Sequence, residues 1–199
     1  RVVTAFFQQV RGSQNEAIEG YRKSLDTLSF LGDEAGLVAA KMGMALIHHR
    51  EGRYVEAMER YEETLAAQRR LRNEPGVAAI LTNMAGIRWS QGRDREALRL
   101  YRDSLASRRR LGDQAGVAAT LNRMAQIRKF QGRFDEALRF SREALALEDR
   151  LGDDQGARYT LNRIADILYR KGQYEEALKL QSDSLNRSRR LGDEKSEAA

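Results

Sequence analysis

An all-α fold of stacked antiparallel helical hairpins is predicted by three features of the 199-residue sequence. One phrase recurs, as "LGDEAG" at 31–36, "LRNEPG" at 71–76, "LGDQAG" at 111–116 and "LGDDQG" at 151–156, with "LGDEKS" starting at Leu191. Between these phrases, apolar residues fall at helical spacing in two stretches per copy. Single glycines at Gly12, Gly52, Gly92, Gly132 and Gly172 divide the copies in half. A fixed period of 40 residues marks a repeat array, because one helical hairpin cannot bury its apolar face alone and a stack of them can. The predicted architecture is an α-solenoid.

The elements follow in order. Residues 1–31 read as a partial N-terminal unit, residues 32–71, 72–111, 112–151 and 152–191 as complete units, and residues 192–199 as the stub of another. First helices are expected over 36–50, 76–90, 116–130 and 156–170, and second helices over 14–31, 54–71, 94–111, 134–151 and 174–191. The unit at 112–151 shows why. "GVAATLNRMAQIRKF" places Val117, Leu121, Met124, Ala125 and Ile127 on one stripe, and Gly132 stops the helix by taking positive φ. "FDEALRFSREALALEDRL" resumes the stripe at Phe134, Ala137, Leu138, Leu145 and Leu151. Asp135 and Glu136 open this helix and arginine closes it, as the helix dipole favours. In the recurring phrase, Gly112 can end one helix in a left-handed conformation and Asp113 can cap the next. Pro75 falls where a helix starts and its missing N–H costs little. Two alanine columns, one through Ala45, Ala85, Ala125 and Ala165 with Ala5 before them, the other through Ala17, Ala57, Ala97, Ala137 and Ala177, allow close helix approach. Tyr54, Phe134 and Tyr174 are expected to fill the space near each turn.

Composition removes several function classes. The chain has no cysteine, so disulfides and thiolate metal sites are excluded. No apolar run approaches the roughly 20 residues that span a bilayer, and no membrane partner is expected. "RVVTAFF" is too short to serve as a signal peptide, nothing argues for secretion, and a cytoplasmic location is expected. The chain reads as a piece of a longer protein or its processed core. His48 and His49 are adjacent, about 100° apart on a helix, and make poor joint metal ligands. No phosphate-binding loop or nucleophile elbow occurs, so no catalytic residue, metal or cofactor is assigned.

The stretch "MAQIRKFQGRFDEALRFSREAL" (124–145) resembles a tetratricopeptide repeat, with small residues at Ala125 and Ala144, Gly132, aromatic Phe134 and Ala137. Tyr21, Tyr61 and Tyr101 hold the family's aromatic slot in the other copies, where Ser141 and Gln181 depart. The unit is longer than the usual 34 or so residues and uses a Leu-Gly-Asp turn. In this it resembles the repeats of Pins-type adaptors and of bacterial regulatory proteins. The resemblance implies a right-handed superhelix whose first helices line a concave groove, and a protein-binding role rather than an enzymatic one.

Helical geometry identifies the face opposite the apolar stripe. It carries Asn122, Arg123, Gln126, Lys129 and Phe130 in one copy, and Tyr159, Asn162, Arg163, Asp166, Tyr169 and Arg170 in the next. The copy before has Asn83 and Trp89 there, and the first complete copy has Met42, Gly43 and Leu46. "LNR" recurs at 121–123 and 161–163. Asparagine amides can bond a peptide backbone and arginine forks match carboxylates. The expected ligand is therefore an acidic peptide or partner segment held by Asn83, Trp89, Asn122, Arg123, Gln126, Lys129, Tyr159, Asn162, Arg163 and Tyr169. Peptide-binding relatives that clamp a C-terminal carboxylate also use lysine where this chain has Ala39, Ala79, Ala119 and Tyr159, so recognition of internal Asp or Glu is expected. The alternative is a structural or self-associating regulatory module. A second basic feature is the run of Arg69–Arg70, Arg109–Arg110 and Arg189–Arg190, with Arg108 and Arg187. These suit helix C-termini, and despite the +6 net charge no nucleic-acid partner is expected.

Overall fold

The computed structural model describes residues 14–197. Residues 1–13, with Ala5, Gly12 and the first part of the expected partial unit, and residues 198–199 lie outside the described residues. Among the described residues there are nine helices and no strand. They are α1 (Gln14–Phe30), α2 (Glu34–Arg50), α3 (Tyr54–Arg70), α4 (Glu74–Ser90), α5 (Asp94–Arg110), α6 (Gln114–Phe130), α7 (Phe134–Leu151), α8 (Asp154–Arg170) and α9 (Tyr174–Glu197). None of them is long and apolar enough to cross a membrane.

The first helices begin two residues earlier than the sequence predicts, at Glu34, Glu74, Gln114 and Asp154. The reason is the cap. Asp33, Asn73, Asp113 and Asp153 each accept the backbone N–H of the glycine three residues on, at 2.8, 3.1, 2.8 and 2.9 Å. The helix therefore starts immediately after the capping residue. The residue before each cap is left-handed: Gly32, Gly112 and Gly152 have φ of 65°, 69° and 67°, and Arg72 takes the same position at φ 52°. The turn inside each hairpin uses Gly52, Gly92, Gly132 and Gly172 in the same conformation.

The last copy of the phrase does not turn, and α9 runs through Leu191 to Glu197. In the other copies a Cβ on Gly36, Gly116 or Gly156 would meet the capping aspartate; the last copy has Ser196 at that position in the sequence.

The described residues up to Leu100 and those from Tyr101 onward form two compact units. In the first, α2 packs on α1 and α3, and α3 on α4. One core cluster joins Ala45, Ala57, Met58, Tyr61 and Leu65 to Ile80, Leu81, Met84 and Ile87. Another joins Ala17 and Tyr21 to Ala40, Met44 and Ile47. Gly43 is buried because the Tyr21 ring lies where its side chain would be. In the second unit α6 packs on α7, α7 on α8 and α8 on α9. Its core joins Ala137 and Leu138 to Ile164, Ala165, Ile167, Leu168 and Ala177. Leu121, Met124, Ala125 and Ile127 are buried with them, as the stripe requires.

Two packing expectations need correction. Leu151, expected on the apolar stripe, is exposed, as are its repeat equivalents Leu31, Leu71 and Leu111, because this position falls at the helix end where the chain is already turning away. Tyr54 and Phe134 are half-buried as expected, but Tyr174 is exposed. In the aromatic slot Tyr61 and Tyr101 are fully buried, Ser141 is buried with its hydroxyl unbonded, and Gln181 is exposed.

Candidate interaction face

The first helices of the second unit lie side by side with their polar faces in register. Asn122 on α6 donates its amide to Thr160 Oγ1 on α8 at 2.8 Å, and also to Glu148 Oε1 on α7 at 2.9 Å. Arg163 on α8 donates back to the main-chain carbonyl of Asn122. Lys129 Nζ meets Asp166 Oδ2 at 2.7 Å, and Arg170 Nε reaches the other oxygen of Asp166 at 3.2 Å.

Burial sets the electrostatics. Glu148 is only 5% exposed. Its desolvation raises the carboxyl above the ordinary value; hydrogen bonds from Thr160 and Asn122 and the charge of Arg163 partly offset this, while Asp153 adds to it. Desolvation likewise lowers the Arg163 guanidinium, against the pull of Glu148. For Asp166 burial works upward, but the bonds and charges of Lys129 and Arg170 outweigh it and leave the carboxyl below its ordinary value. A charged pair inside such a network stabilises only while each partner stays bonded.

The ten expected binding residues therefore divide. Asn83 and Trp89 lie half-buried on α4 of the first unit. The other eight lie on α6 and α8 of the second. The Asn122 side chain is engaged within the fold, Arg163 is half-buried and bonded to the backbone, and Lys129 is neutralised by Asp166. Those that are exposed are Arg123 and Asn162, and Gln126 is half-covered. Arg123 also lies close enough to buried Tyr101 to offset part of the rise that burial imposes on its hydroxyl. Tyr159 and Tyr169 are 56% and 64% exposed. The Arg158 guanidinium stands 4.7 Å from the Tyr159 ring centre, and Tyr169 meets Tyr174 edge-on at 5.2 Å. Lys129 also stands 5.5 Å from the ring of Phe130, which is exposed. The face combines aromatic surface, free amides and cations, which can hold an extended backbone and match acidic side chains.

Sequence reasoning missed Glu148. Its column holds Leu28, Gln68 and Arg108 in the other copies, so a carboxylate inside "ALALEDRL" carried no periodic signal. The histidines are accounted for by packing: His48 is buried, and His49 meets Tyr54 and Tyr61 edge-on at 6.1 and 6.4 Å. Among the described residues no group of His, Asp and Glu could hold a metal ion. Several edge arginines are paired across helices, Arg70 with Glu34 at 2.8 Å, Arg109 with Glu143 at 2.6 Å and Arg187 with Asp149 at 2.7 Å.

A family model described as "Tetratricopeptide repeat" matches residues 36–110, 76–150 and 116–190. No curated protein matches the chain in sequence. Among solved structures, BtubC (BKLC) from P. vanneervenii has a TM-score of 0.84 and 24% identity over 94% of this chain and 78% of that one. A Rap protein complexed with Competence and Sporulation Factor has a TM-score of 0.78 and 16% identity over 96% of this chain and 54% of its own. The Rap conjugation gene regulator of the plasmid pLS20, in complex with the Phr* peptide, has a TM-score of 0.74 and 17% identity over 95% of this chain and 52% of its own. The chain thus spans about half the length of the two Rap proteins. These likenesses establish the fold class as a helical-repeat solenoid.

Proposed function

Because the chain belongs to the tetratricopeptide repeat family, we propose that it is a protein-interaction scaffold that holds an acidic peptide or partner segment against the open face of its first helices. The observation that carries this reading is the set of outward side chains on α6 and α8, where Arg123, Asn162, Tyr159 and Tyr169 stand exposed on adjoining helices. The bound factor and peptide named for the two Rap structures support a peptide as the kind of ligand. Arg123 supplies the charge, Asn162 the backbone contacts, and the two tyrosines the walls. Asn122 and Glu148 hold Arg163 in place. On α4 of the first unit, Asn83 and Trp89 hold the repeat positions of Arg123 and Lys129.

The test is selection of short peptides from a displayed library, followed by calorimetry with the winners. Acidic residues should be enriched. A hydrogen bond to a charged group contributes about 1.5–3 kcal/mol, so Arg123→Ala should weaken binding by at least about tenfold. Arg102→Ala, at an exposed site on α5, should change it little. Equal losses in both variants would refute the site.

Self-association is the second reading, and one observation favours it. Leu178 on α9 is 66% exposed, whereas its repeat equivalent Leu138 is 4% exposed beneath the following helix α8; no described helix follows α9, so either a further repeat or a second copy would cover this surface. Leu185 extends the same uncovered surface. Light scattering across a concentration series separates this reading from the first: a constant monomer mass removes it.

A further inference from the structure

Two repeat-equivalent clefts differ in charge. The cleft in the first unit, about 330 Å³, is lined by Gly32, Glu34, Leu37, Glu63, Ala67 and Arg70 among others. The cleft in the second unit, about 250 Å³, is lined by Gly112, Gln114, Val117, Glu143, Leu147 and Arg150, each 80 residues further on, with Arg108 and Arg109 beside them. In the first cleft the charges close on themselves. Arg70 bonds Glu34 at 2.8 Å and Lys41 bonds Glu63 at 2.9 Å.

In the second cleft they do not. Gln114 stands where Glu34 stands in the first, and Arg150 stands where Arg70 does. No described carboxylate lies within ion-pair distance of Arg150. Arg109 takes over Glu143 at 2.6 Å, and Arg108 holds Asp113 at 2.5 Å. Three guanidinium groups thus meet two carboxylates around a cleft whose floor is the buried, apolar Val117 and Leu147. Each guanidinium has five N–H donors, so pairing with one carboxylate leaves donors available.

We propose that this cleft binds a phosphomonoester, with the phosphoryl group among Arg108, Arg109 and Arg150 and its carbon substituent against Val117 and Leu147. A phosphoryl group brings nearly two negative charges and three acceptor oxygens, which a set of arginine forks matches better than any single carboxylate does. The Gln114 amide adds a donor where the first cleft has an acceptor. The volume exceeds what a bare ion requires, and the apolar floor gives the remainder a surface to cover.

The test titrates phenyl phosphate, inorganic phosphate and benzoate into the whole chain by calorimetry, with circular dichroism confirming that each variant is folded. Saturable binding is expected for phenyl phosphate, tighter than for inorganic phosphate or benzoate. Gln114→Glu restores the carboxylate of the first cleft and gives Arg150 an internal partner, so it should weaken phenyl phosphate by at least about tenfold. Arg150→Gln should do the same. Free phosphoserine and a phosphoserine peptide then distinguish the source: the tighter of the two tells whether the phosphoryl group arrives on a small molecule or on a partner chain, and saturable binding of either supports the proposal. Absence of saturable phenyl phosphate binding would overturn it, as would binding that survives both substitutions or is matched by benzoate.

Discussion

The side-chain amide of Asn122 is bonded to the carboxylate of buried Glu148, 2.9 Å from Nδ2 to Oε1. The same nitrogen reaches Thr160, so one side chain on α6 ties α7 to α8. Asn122→Ala leaves the Glu148 carboxylate without that donor. Stranding a buried acceptor costs about 1–3 kcal/mol, more when it is charged, and a urea melt should register at least that loss. Sequence periodicity alone predicts the opposite, a near-neutral substitution on an open face.

Glu148 also makes stability depend on pH. Burial raises its folded-state pKa above the 4.5 of the free side chain, so between the two values the folded chain holds more protons than the unfolded one. Stability contributed at this site therefore falls as pH rises through that window. Glu148→Gln removes the titration. In paired denaturant melts the wild type should gain on the variant as pH drops from neutral toward 4.5. A stability difference that stays constant over that range would show that Glu148 is not the buried carboxylate described here.

Ala125 and Ala137 are both fully buried where helices approach closely. Enlarging either to leucine overpacks the contact, and each substitution should cost about 1–3 kcal/mol in a chemical melt. Asn162→Ala, on the outward side of α8, should fall within about half a kcal/mol of the wild type.

Arg72 occupies a left-handed position, φ 52°, that three other copies fill with glycine. A non-glycine residue there carries a penalty of about 1–2 kcal/mol. Arg72→Gly should recover part of it and raise the midpoint of unfolding, although the more flexible unfolded chain returns some of the gain.

The fold was legible in the sequence because its punctuation is local. Gly112 and Asp113 specify a turn and a cap by their own backbone preferences, and Ala125 and Ala137 recur at fixed spacing, so the hairpin can be read without knowing its neighbours. Helix starts were misplaced by two residues because the capping bond runs backward, from the Gly116 amide to Asp113. The candidate face was only half legible. Periodicity places Asn122, Lys129 and Arg163 on the polar side but not which of them a neighbouring helix engages. For Asn122 and Lys129 that depends on Glu148, Thr160 and Asp166 on neighbouring helices, and of these only Thr160 has an identical repeat equivalent, Thr120. Arg123 and Asn162 remain exposed, Arg123 with buried Tyr101 of the preceding helix beside it.

The binding face on α6 and α8 is tested most directly by amide shift mapping. The isotope-labelled chain would be titrated with an acidic peptide selected for binding, and shifts followed to saturation. The largest changes should fall at Arg123, Gln126, Tyr159, Asn162 and Tyr169, and should vanish in the Arg123→Ala variant at equal peptide concentration. Changes concentrated instead on the second helices, α7 and α9, with the α6 and α8 signals unmoved, would contradict the proposed face.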